Sequence, residues 1–144
     1  MKYIHEFILN KNNNPGMEGE MYILHDILNR GAEERMDEIE TLAELYQGFR
    51  DDTLALPVPA FLAKEHLDLI NTYNAIHEDI ASMTEMNSDP AKTFLRLKRY
   101  EEDATGLYYA LVNMTDSLIP YANLFTVEDP AVQLIVFNPD LQNP

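Results

Sequence analysis

An unbroken alternation of three- and four-residue steps between mostly apolar side chains runs along two long stretches of the sequence. Such steps place side chains on one stripe of an α-helix, and a stripe continued over several turns is typical of helices packed against each other. The first stripe is Leu62, His66, Leu69, Tyr73, Ile76, Ile80 and Met83, and the second is Leu97, Tyr100, Ala104, Leu107, Leu111, Met114 and Leu118. The chain is therefore predicted to form a helical bundle.

Turn-forming and helix-breaking residues divide the sequence into four predicted helices. Gly31 is the expected end of the first helix, and the prolines of segment 57–59 separate the second from the third. Ser88 or Asp89 is the expected N-cap of the fourth helix, with Pro90 in its first turn. The predicted bounds are Met17 to Arg30, Glu33 to Asp52, Ala60 to Met86, and Pro90 to Ile119, where Pro120 stops the helix.

The two shorter helices also carry apolar stripes, and the whole chain has the length of one domain. The stripes are Met17, Met21, Leu24 and Leu28 in the first helix, and Ile39, Leu42, Tyr46 and Phe49 in the second. The 144 residues are assigned to a lead and loop (1–16), helices (17–119) and an extended tail (120–144). Within the tail, residues 131–137 are rich in β-branched side chains and are predicted to form a strand or extended segment on the bundle. The predicted fold is an all-α antiparallel bundle of about four helices with a short extended or β-like C-terminal segment.

Acidic residues outnumber basic ones by 25 to 10, which gives a formal net charge of −15. Because phosphates would be repelled, direct binding to nucleic acid is not expected. One face of the second helix carries carboxylates at helical spacing and is a candidate interaction face: Glu33, Asp37, Glu40, Glu44 and Asp51. Lys92, Arg96 and Arg99 on the fourth helix are predicted to pair with these carboxylates across the bundle, and an anion site at these three cations is the weaker alternative.

The residue patterns of common catalytic and metal sites are missing from the sequence. The chain has no cysteine, and no histidine has another histidine or a carboxylate three or four positions away. There is no Gly-x-Ser-x-Gly motif and no glycine-rich phosphate loop. We therefore expect no catalytic residue, no metal site, no cofactor and no enzymatic activity. No stretch reaches the roughly 18 uninterrupted apolar residues that a membrane span requires.

His66 occupies a position in the stripe of the third predicted helix where an aliphatic side chain is expected. The favoured interpretation is a buried histidine held by one hydrogen bond, with Asn71, Asn74 or a backbone carbonyl of another element as candidate partner. The alternative is a pH-sensitive contact, because charging a buried imidazole without a partner destabilises a fold.

Three sequence elements are shared with a group of known proteins. They are Pro57-Val58-Pro59, then His66-Leu67-x-Leu69-x-Asn71, then Asp89-Pro90 at the start of the next helix, followed by an aromatic-rich extended end. The region from 46 to 137 resembles uncharacterised helical-bundle proteins of small-genome, candidate-phylum bacteria. The resemblance implies an extracytoplasmic bundle, tethered by an N-terminal membrane segment and associated with pilus or secretion machinery.

The resemblance also implies that His66, Asn71 and Asp89 are structural residues that fix helix geometry. The sequence lacks the tether of the family pattern, so it is either an ectodomain without its anchor or a protein of another location.

Three functional hypotheses follow from the sequence. The first is a structural or protein-interaction module that binds a partner or itself through exposed apolar side chains, for which the candidates are Ile23, Ile27, Phe94, Leu95, Tyr108 and Val112. The second is an acidic decoy that uses the carboxylates of the second helix to occupy the cationic nucleic-acid site of a partner. The third is a ligand-binding bundle with an enclosed cavity near His66, Tyr73 or Tyr100.

Overall fold

The computed structural model of the protein describes residues 19–129, and this part of the chain consists of four α-helices. They are α1 (Glu20–Arg30), α2 (Met36–Ala55), α3 (Ala63–Thr84) and α4 (Pro90–Leu118), with 3-10 turns at Glu33–Arg35, Ala60–Leu62 and Ile119–Leu124. Consecutive helices pack antiparallel, and residues 19–129 contain no strand. The predicted all-α antiparallel bundle is confirmed. The lead 1–16, the predicted helix start at Met17 and the segment 131–137 lie outside the described residues, and their conformations stay predictions. Residues 120–124, which were assigned to the extended tail, lie instead in the 3-10 turn Ile119–Leu124.

The stripe of α3 lies at the centre of the core, because α3 packs against both α2 and α4. Six of its seven predicted members are buried, which confirms the periodicity: Leu62, Leu69, Tyr73, Ile76, Ile80 and Met83. The seventh, His66, is half-buried. In α4 the predicted stripe also faces inward, with Met114 and Leu118 fully buried and the other five residues half-buried.

Two clusters of buried side chains divide the core along the length of the bundle. The first contains Ile23, Leu24, Ile27, Ile39, Leu42, Ala43, Ile76, Ile80 and Met83. The second contains Phe49, Leu62, Leu69, Tyr73, Ala110, Met114 and Leu118. Tyr46 and Leu107 contact both clusters, so these two half-buried residues join the halves of the core.

Helix α1 contributes to the first cluster only. Its 11 residues rise about 16 Å, whereas the 29 residues of α4 rise about 44 Å, at 1.5 Å per residue. Helix α1 is therefore too short to cover more than about a third of the length of α4.

The face that α1 buries differs from the predicted one. Ile23, Leu24 and Ile27 are buried, whereas Met21 and Leu28 of the predicted stripe are exposed. The predicted stripe was therefore wrong by about one position. The reason is that six of the eight residues from 21 to 28 are apolar, so they surround the helix and the pattern does not define a single face.

The turn between α1 and α2 is fixed by a glycine and by a network of charges. Gly31 ends α1 in the left-handed conformation, at φ 69°, and its N–H donates to the carbonyl of Ile27. Asp26 accepts from the guanidinium groups of Arg30 and Arg35, each at 3.1 Å. The expected stop at Gly31 is confirmed, and the charge network connects α1 to the start of α2.

Replacing Gly31 with alanine is expected to lower the free energy of unfolding by about 1 kcal/mol, because a Cβ disfavours positive φ. No atom lies within 4 Å of the added Cβ, so the cost comes from the backbone alone. Gly106 is the matched control: it lies within α4, and its added Cβ meets Thr72 Cγ2 at an ordinary 3.6 Å. Gly106→Ala should stabilise by roughly 0.5–1 kcal/mol. Urea unfolding measures both changes, and equal effects of the two variants contradict the expectation.

Candidate functional site

His66 connects the start of α3 to the end of α2. Its Nε2–H donates to the carbonyl oxygen of Thr53 at 2.7 Å, and Thr53 lies in the last turn of α2. The hydrogen-bond partner of His66 is therefore a backbone carbonyl, which was one of the candidates considered from the sequence. Asn74, another candidate, accepts instead from Arg50 at 2.8 Å. A carbonyl accepts from a neutral or a charged imidazole, so this contact does not require one protonation state. The geometry suits a structural role for His66, which stays a prediction.

The other two predicted structural residues lie at the protein surface. Asn71 is exposed on α3. Asp89 is the N-cap of α4, and its side chain accepts from the backbone N–H of Lys92 at 3.0 Å. This contact satisfies one of the free amides at the helix start, and Pro90 follows in the first turn as predicted.

The five carboxylates of the predicted acidic face are all exposed, with Glu33 in the 3-10 turn and the other four on α2. Asp51 pairs with Arg50 at 2.8 Å. From Glu33 to Asp51 the face extends for about 27 Å at helical rise. It is thus a long negative surface on the outside of the bundle.

The three cations of α4 do not pair with this acidic face, so that prediction was wrong. Lys92 pairs with Glu85, which lies just after α3, and Arg96 contacts Glu78 and Asp79 of α3. Arg99 lies 3.7 Å from Asp103, one turn further along α4. Because α4 packs on α3, the carboxylates at the end of α3 are closer than those on the outer face of α2.

An open apolar groove of about 570 Å³ lies between the start of α1 and the middle of α4. Its lining residues are Met21, Leu97, Tyr100, Glu101, Ala104, Thr105 and Tyr108. Phe94 precedes Leu97 by one turn, and from Phe94 the spacing continues in steps of three and four through Glu101 and Ala104 to Tyr108. This row, which we call the groove stripe, extends for about 21 Å.

Large apolar side chains are exposed at both ends of the groove stripe. Phe94 and Tyr108 are 59% and 40% exposed, and the neighbouring Leu95 and Tyr109 are also exposed. Among the residues named from the sequence as candidates for an apolar surface, Phe94, Leu95 and Tyr108 are exposed. Ile23 and Ile27 belong to the core instead, and Val112 is half-buried.

The groove does not match the enclosed ligand cavity considered from the sequence. Tyr100 lines it, but Tyr73 is buried in the second core cluster and His66 contacts the end of α2. Glu101 is the only charged residue among the lining side chains. An open, mostly apolar groove of this kind is better suited to side chains of another polypeptide than to a small polar ligand.

A pair of carboxyl groups is buried between α3 and α4. Asp79 has 0% exposed surface, and its carboxyl interacts with that of Asp103 on α4. Both carboxyl oxygens of Asp79 and Oδ2 of Asp103 are buried and receive no hydrogen bond from the described residues. Arg96 Nη1 lies 3.5 Å from Asp79 Oδ1, which is an ion pair at the outer limit of hydrogen-bond length.

The pKa of Asp79 is raised to about 7, mainly by burial and in addition by the neighbouring carboxyl of Asp103. The positive charges of Arg96 and Arg99 oppose this increase but do not cancel it. A carboxyl with a pKa near 7 keeps its proton under mildly acidic conditions, and the proton provides the donor that the two carboxylates otherwise lack.

Sequence reasoning missed this pair, although a signal was present. Asp79 lies between Ile76 and Met83 at steps of three and four, so it shares one side of α3 with two core residues. Arg96, Arg99 and Asp103 likewise follow each other at steps of three and four on α4. A carboxylate at helical spacing from core residues, opposite a row containing another carboxylate, indicates a buried charged contact.

The fold and these features define a small acidic all-α bundle with an exposed apolar groove and a buried carboxyl pair. No family model, no curated protein and no solved structure matches the chain. Within residues 19–129, no helix has both the length and the apolar character needed to cross a membrane. In the same part of the chain, no group of three or more histidines and carboxylates could hold a metal ion.

Proposed function

We propose that the protein is a non-enzymatic interaction module that binds an amphipathic segment of another protein in the groove between α1 and α4. The observation that carries this proposal is the exposure of Phe94 and Tyr108 at the two ends of the groove stripe, with Tyr108 lining the apolar groove itself. Exposed aromatic side chains beside a groove are typical of binding surfaces, because their transfer out of water is favourable. About 21 Å of groove stripe accommodates roughly four turns of a helix, as in helix-in-groove recognition.

The charge of the protein defines the chemistry of the partner. Glu101 is the one charged residue among those lining the groove, and the formal net charge of the chain is −15, although Lys98 Nζ lies 4.9 Å from the ring centroid of Phe94 at one end of the groove stripe. A segment with lysine or arginine next to its apolar anchors is therefore attracted during encounter, and an acidic segment is repelled. The proposed occupant is an amphipathic, basic segment that buries two or three apolar side chains in the groove.

The buried carboxyl pair does not suggest catalysis, because Asp79 is sealed from solvent and a substrate has no access to it. Exposed apolar side chains and a negatively charged surface support binding, and the groove contributes one carboxylate rather than a convergent set of reactive groups.

A phage-displayed library of helical peptides, selected against the full chain, tests the proposal. We expect the selected peptides to be amphipathic and basic. Ala104→Trp, which fills the groove, should weaken their binding at least tenfold. Ala63→Trp is the matched control, because Ala63 is an exposed alanine in the first turn of α3 that does not line the groove. Its affinity should remain that of the unchanged protein, as measured by fluorescence anisotropy.

Several outcomes contradict the proposal. Selected peptides that are acidic contradict the expected charge of the partner. Peptides that bind Ala104→Trp as tightly as Ala63→Trp show that the binding surface is not the groove. A library that yields no binder means that the groove does not receive a partner of this kind. A concentration-dependent dimer in sedimentation that Ala104→Trp abolishes identifies a second copy of the chain as the occupant.

A second candidate function is an acidic decoy, favoured by the five exposed carboxylates of the acidic face. Binding through this face should disappear at high salt, because exposed charges are screened, and should be unaffected by Ala104→Trp.

An envelope, pilus or secretion-associated location, as implied by the resemblance to candidate-phylum bacterial proteins, stays a prediction.

A further inference from the structure

The contact between α3 and α4 contains two acidic groups at one point. We propose that Asp79 and Asp103 share one proton and form a pH-responsive clamp, which holds α3 and α4 together more tightly as the pH falls below neutrality. This inference concerns the interior of the bundle and does not depend on the proposed binding function.

The positions of the carboxyl oxygens support a shared proton. Three of the four oxygens are buried without a donor from the described residues, which is costly for ionised groups. One proton between the two carboxyls turns one of them into a donor to the other. Because Asp79 lies on α3 and Asp103 on α4, the resulting hydrogen bond crosses the contact between the helices.

Two neighbouring arginines favour the ionised form of the carboxyl pair, but their effect is weakened by other contacts and by solvent. Arg96 and Arg99, both on α4, are the cations that act on Asp79. Arg96 also contacts Glu78 of α3 at 3.5 Å, and its side chain is 29% exposed, so its charge is shared and partly screened by water. Arg99 lies 3.7 Å from Asp103 and is 60% exposed. Neither cation reaches the pair closely enough to replace the proton.

Buried hydrogen bonds on one side of the two carboxyls hold α3 and α4 together. The buried hydroxyl of Thr93 on α4 donates to the carbonyl of Ser82 on α3 at 2.6 Å. The buried hydroxyl of Ser82 in turn donates to the backbone carbonyl of Asp79 at 2.6 Å. The helices are thus held close next to Asp79, whose carboxyl has no exposed surface, whereas the side chain of Asp103 is 15% exposed.

The direction of the pH effect follows from the pKa of Asp79. Its value in the folded protein is about 7, above the value near 4 of an unfolded aspartate. The stabilisation is therefore complete below about pH 4 and is lost as the pH rises through 7. Between pH 5 and 7, the folding equilibrium constant should fall by up to about tenfold per pH unit from this site alone.

The test compares the unchanged protein with Asp79→Asn, whose amide donates to Asp103 at every pH. Urea unfolding between pH 5 and 8.5 gives the folding equilibrium constant of each protein. We expect the ratio of the two constants, unchanged protein over variant, to fall by roughly a hundredfold between pH 5 and 8 and to level off above pH 7. The histidines are present in both proteins, so their contributions cancel in this ratio.

Asp116→Asn is the matched control, because Asp116 is an exposed aspartate on the same helix as Asp103. The ratio of the folding equilibrium constants, unchanged protein over Asp116→Asn, should be constant over this pH range. A constant ratio for Asp79→Asn as well overturns the proposal. If Asp79→Asn does not fold, the carboxyl carbon resonances of the unchanged protein decide by NMR: a titration of the pair near pH 7 supports the shared proton, and ordinary titrations of both groups near pH 4 overturn it.

Discussion

Replacing Phe49 with alanine is expected to lower the free energy of unfolding by about 3–5 kcal/mol, the usual range for a buried phenylalanine. Phe49 is only 4% exposed, and its ring centroid lies 5.7 Å from that of Tyr46 and 5.6 Å from that of Tyr73. Tyr46 joins the two core clusters, so the cavity weakens both halves of the bundle. Thermal unfolding followed by circular dichroism measures the effect as a large decrease in Tm.

Phe94→Ala provides the control for this prediction, since it removes the same side chain from an exposed position. We expect its free energy of unfolding to change by less than about 0.5 kcal/mol. Phe94 lies at one end of the groove stripe, so the same variant should still lower the affinity for a peptide bound in the groove. A Phe49→Ala protein as stable as Phe94→Ala shows that the arrangement of the second core cluster is wrong.

Replacing Arg96 with methionine is expected to destabilise the protein at alkaline pH and to have little effect at acidic pH. Arg96 lowers the pKa of Asp79 by favouring its ionised form, and that form predominates above pH 7. The decrease in the free energy of unfolding of Arg96→Met is limited to about 1.4 kcal/mol for each pH unit above 7, because Asp79 can keep its proton when the arginine is absent. We therefore expect a loss of about 2 kcal/mol at pH 9 and less than about 0.5 kcal/mol at pH 5.5, measured by urea unfolding.

Arg99→Met is the comparison for Arg96→Met. Arg99 is 60% exposed and pairs with Asp103 within α4 rather than with Asp79 across the helices, so solvent screens its charge more strongly. Arg99→Met should lower the free energy of unfolding by less than about 1 kcal/mol at pH 9. Equal losses for Arg96→Met at pH 5.5 and pH 9 indicate a packing role of the arginine side chain, and argue against electrostatic support of an ionised Asp79.

The stripe of α3 could be predicted because it is narrow. Polar residues such as Lys64, Asp68 and Asn71 occupy the opposite side of the helix, so the phase of the alternation defines one buried face. Turn signals were equally local: Gly31 requires a left-handed backbone, and Asp89 caps the amides that follow it. These features depend on residues within a few positions of each other, and a sequence contains that information directly.

The face of α1 and the partners of the cations depend on tertiary packing. In α1, apolar residues surround the helix, and the choice of Ile23 and Ile27 over Met21 and Leu28 follows from the shape of α2, α3 and α4 beneath them. In α4, the partner of Arg96 depends on which helix lies beside it. The acidic face of α2 was a reasonable candidate by charge, but α3 is the neighbour.

The burial of Asp79 is indicated by its helical spacing with Ile76 and Met83, but it was missed because aspartate ordinarily prefers the surface. Only the crossing of α3 and α4 brings Asp79 to Asp103, which is 24 positions later in the chain. The groove itself was not predicted: of the apolar side chains named outside the main stripes, Tyr108 lines it, and Phe94 and Leu95 are exposed on the same helix. Met21 was instead assigned to the core, so the contribution of α1 to the groove was missed.

The short length of α1 affects how the groove responds to local unfolding. A helix of 11 residues is marginal on its own in water, so its helical state depends on Ile23, Leu24 and Ile27 remaining packed on the other helices. Local opening of α1 requires less free energy than global unfolding, and it removes Met21 from one side of the groove. The groove thus consists of a permanent side on α4 and a side that is present only while α1 is docked. The apparent affinity for any occupant is the intrinsic affinity multiplied by the docked fraction.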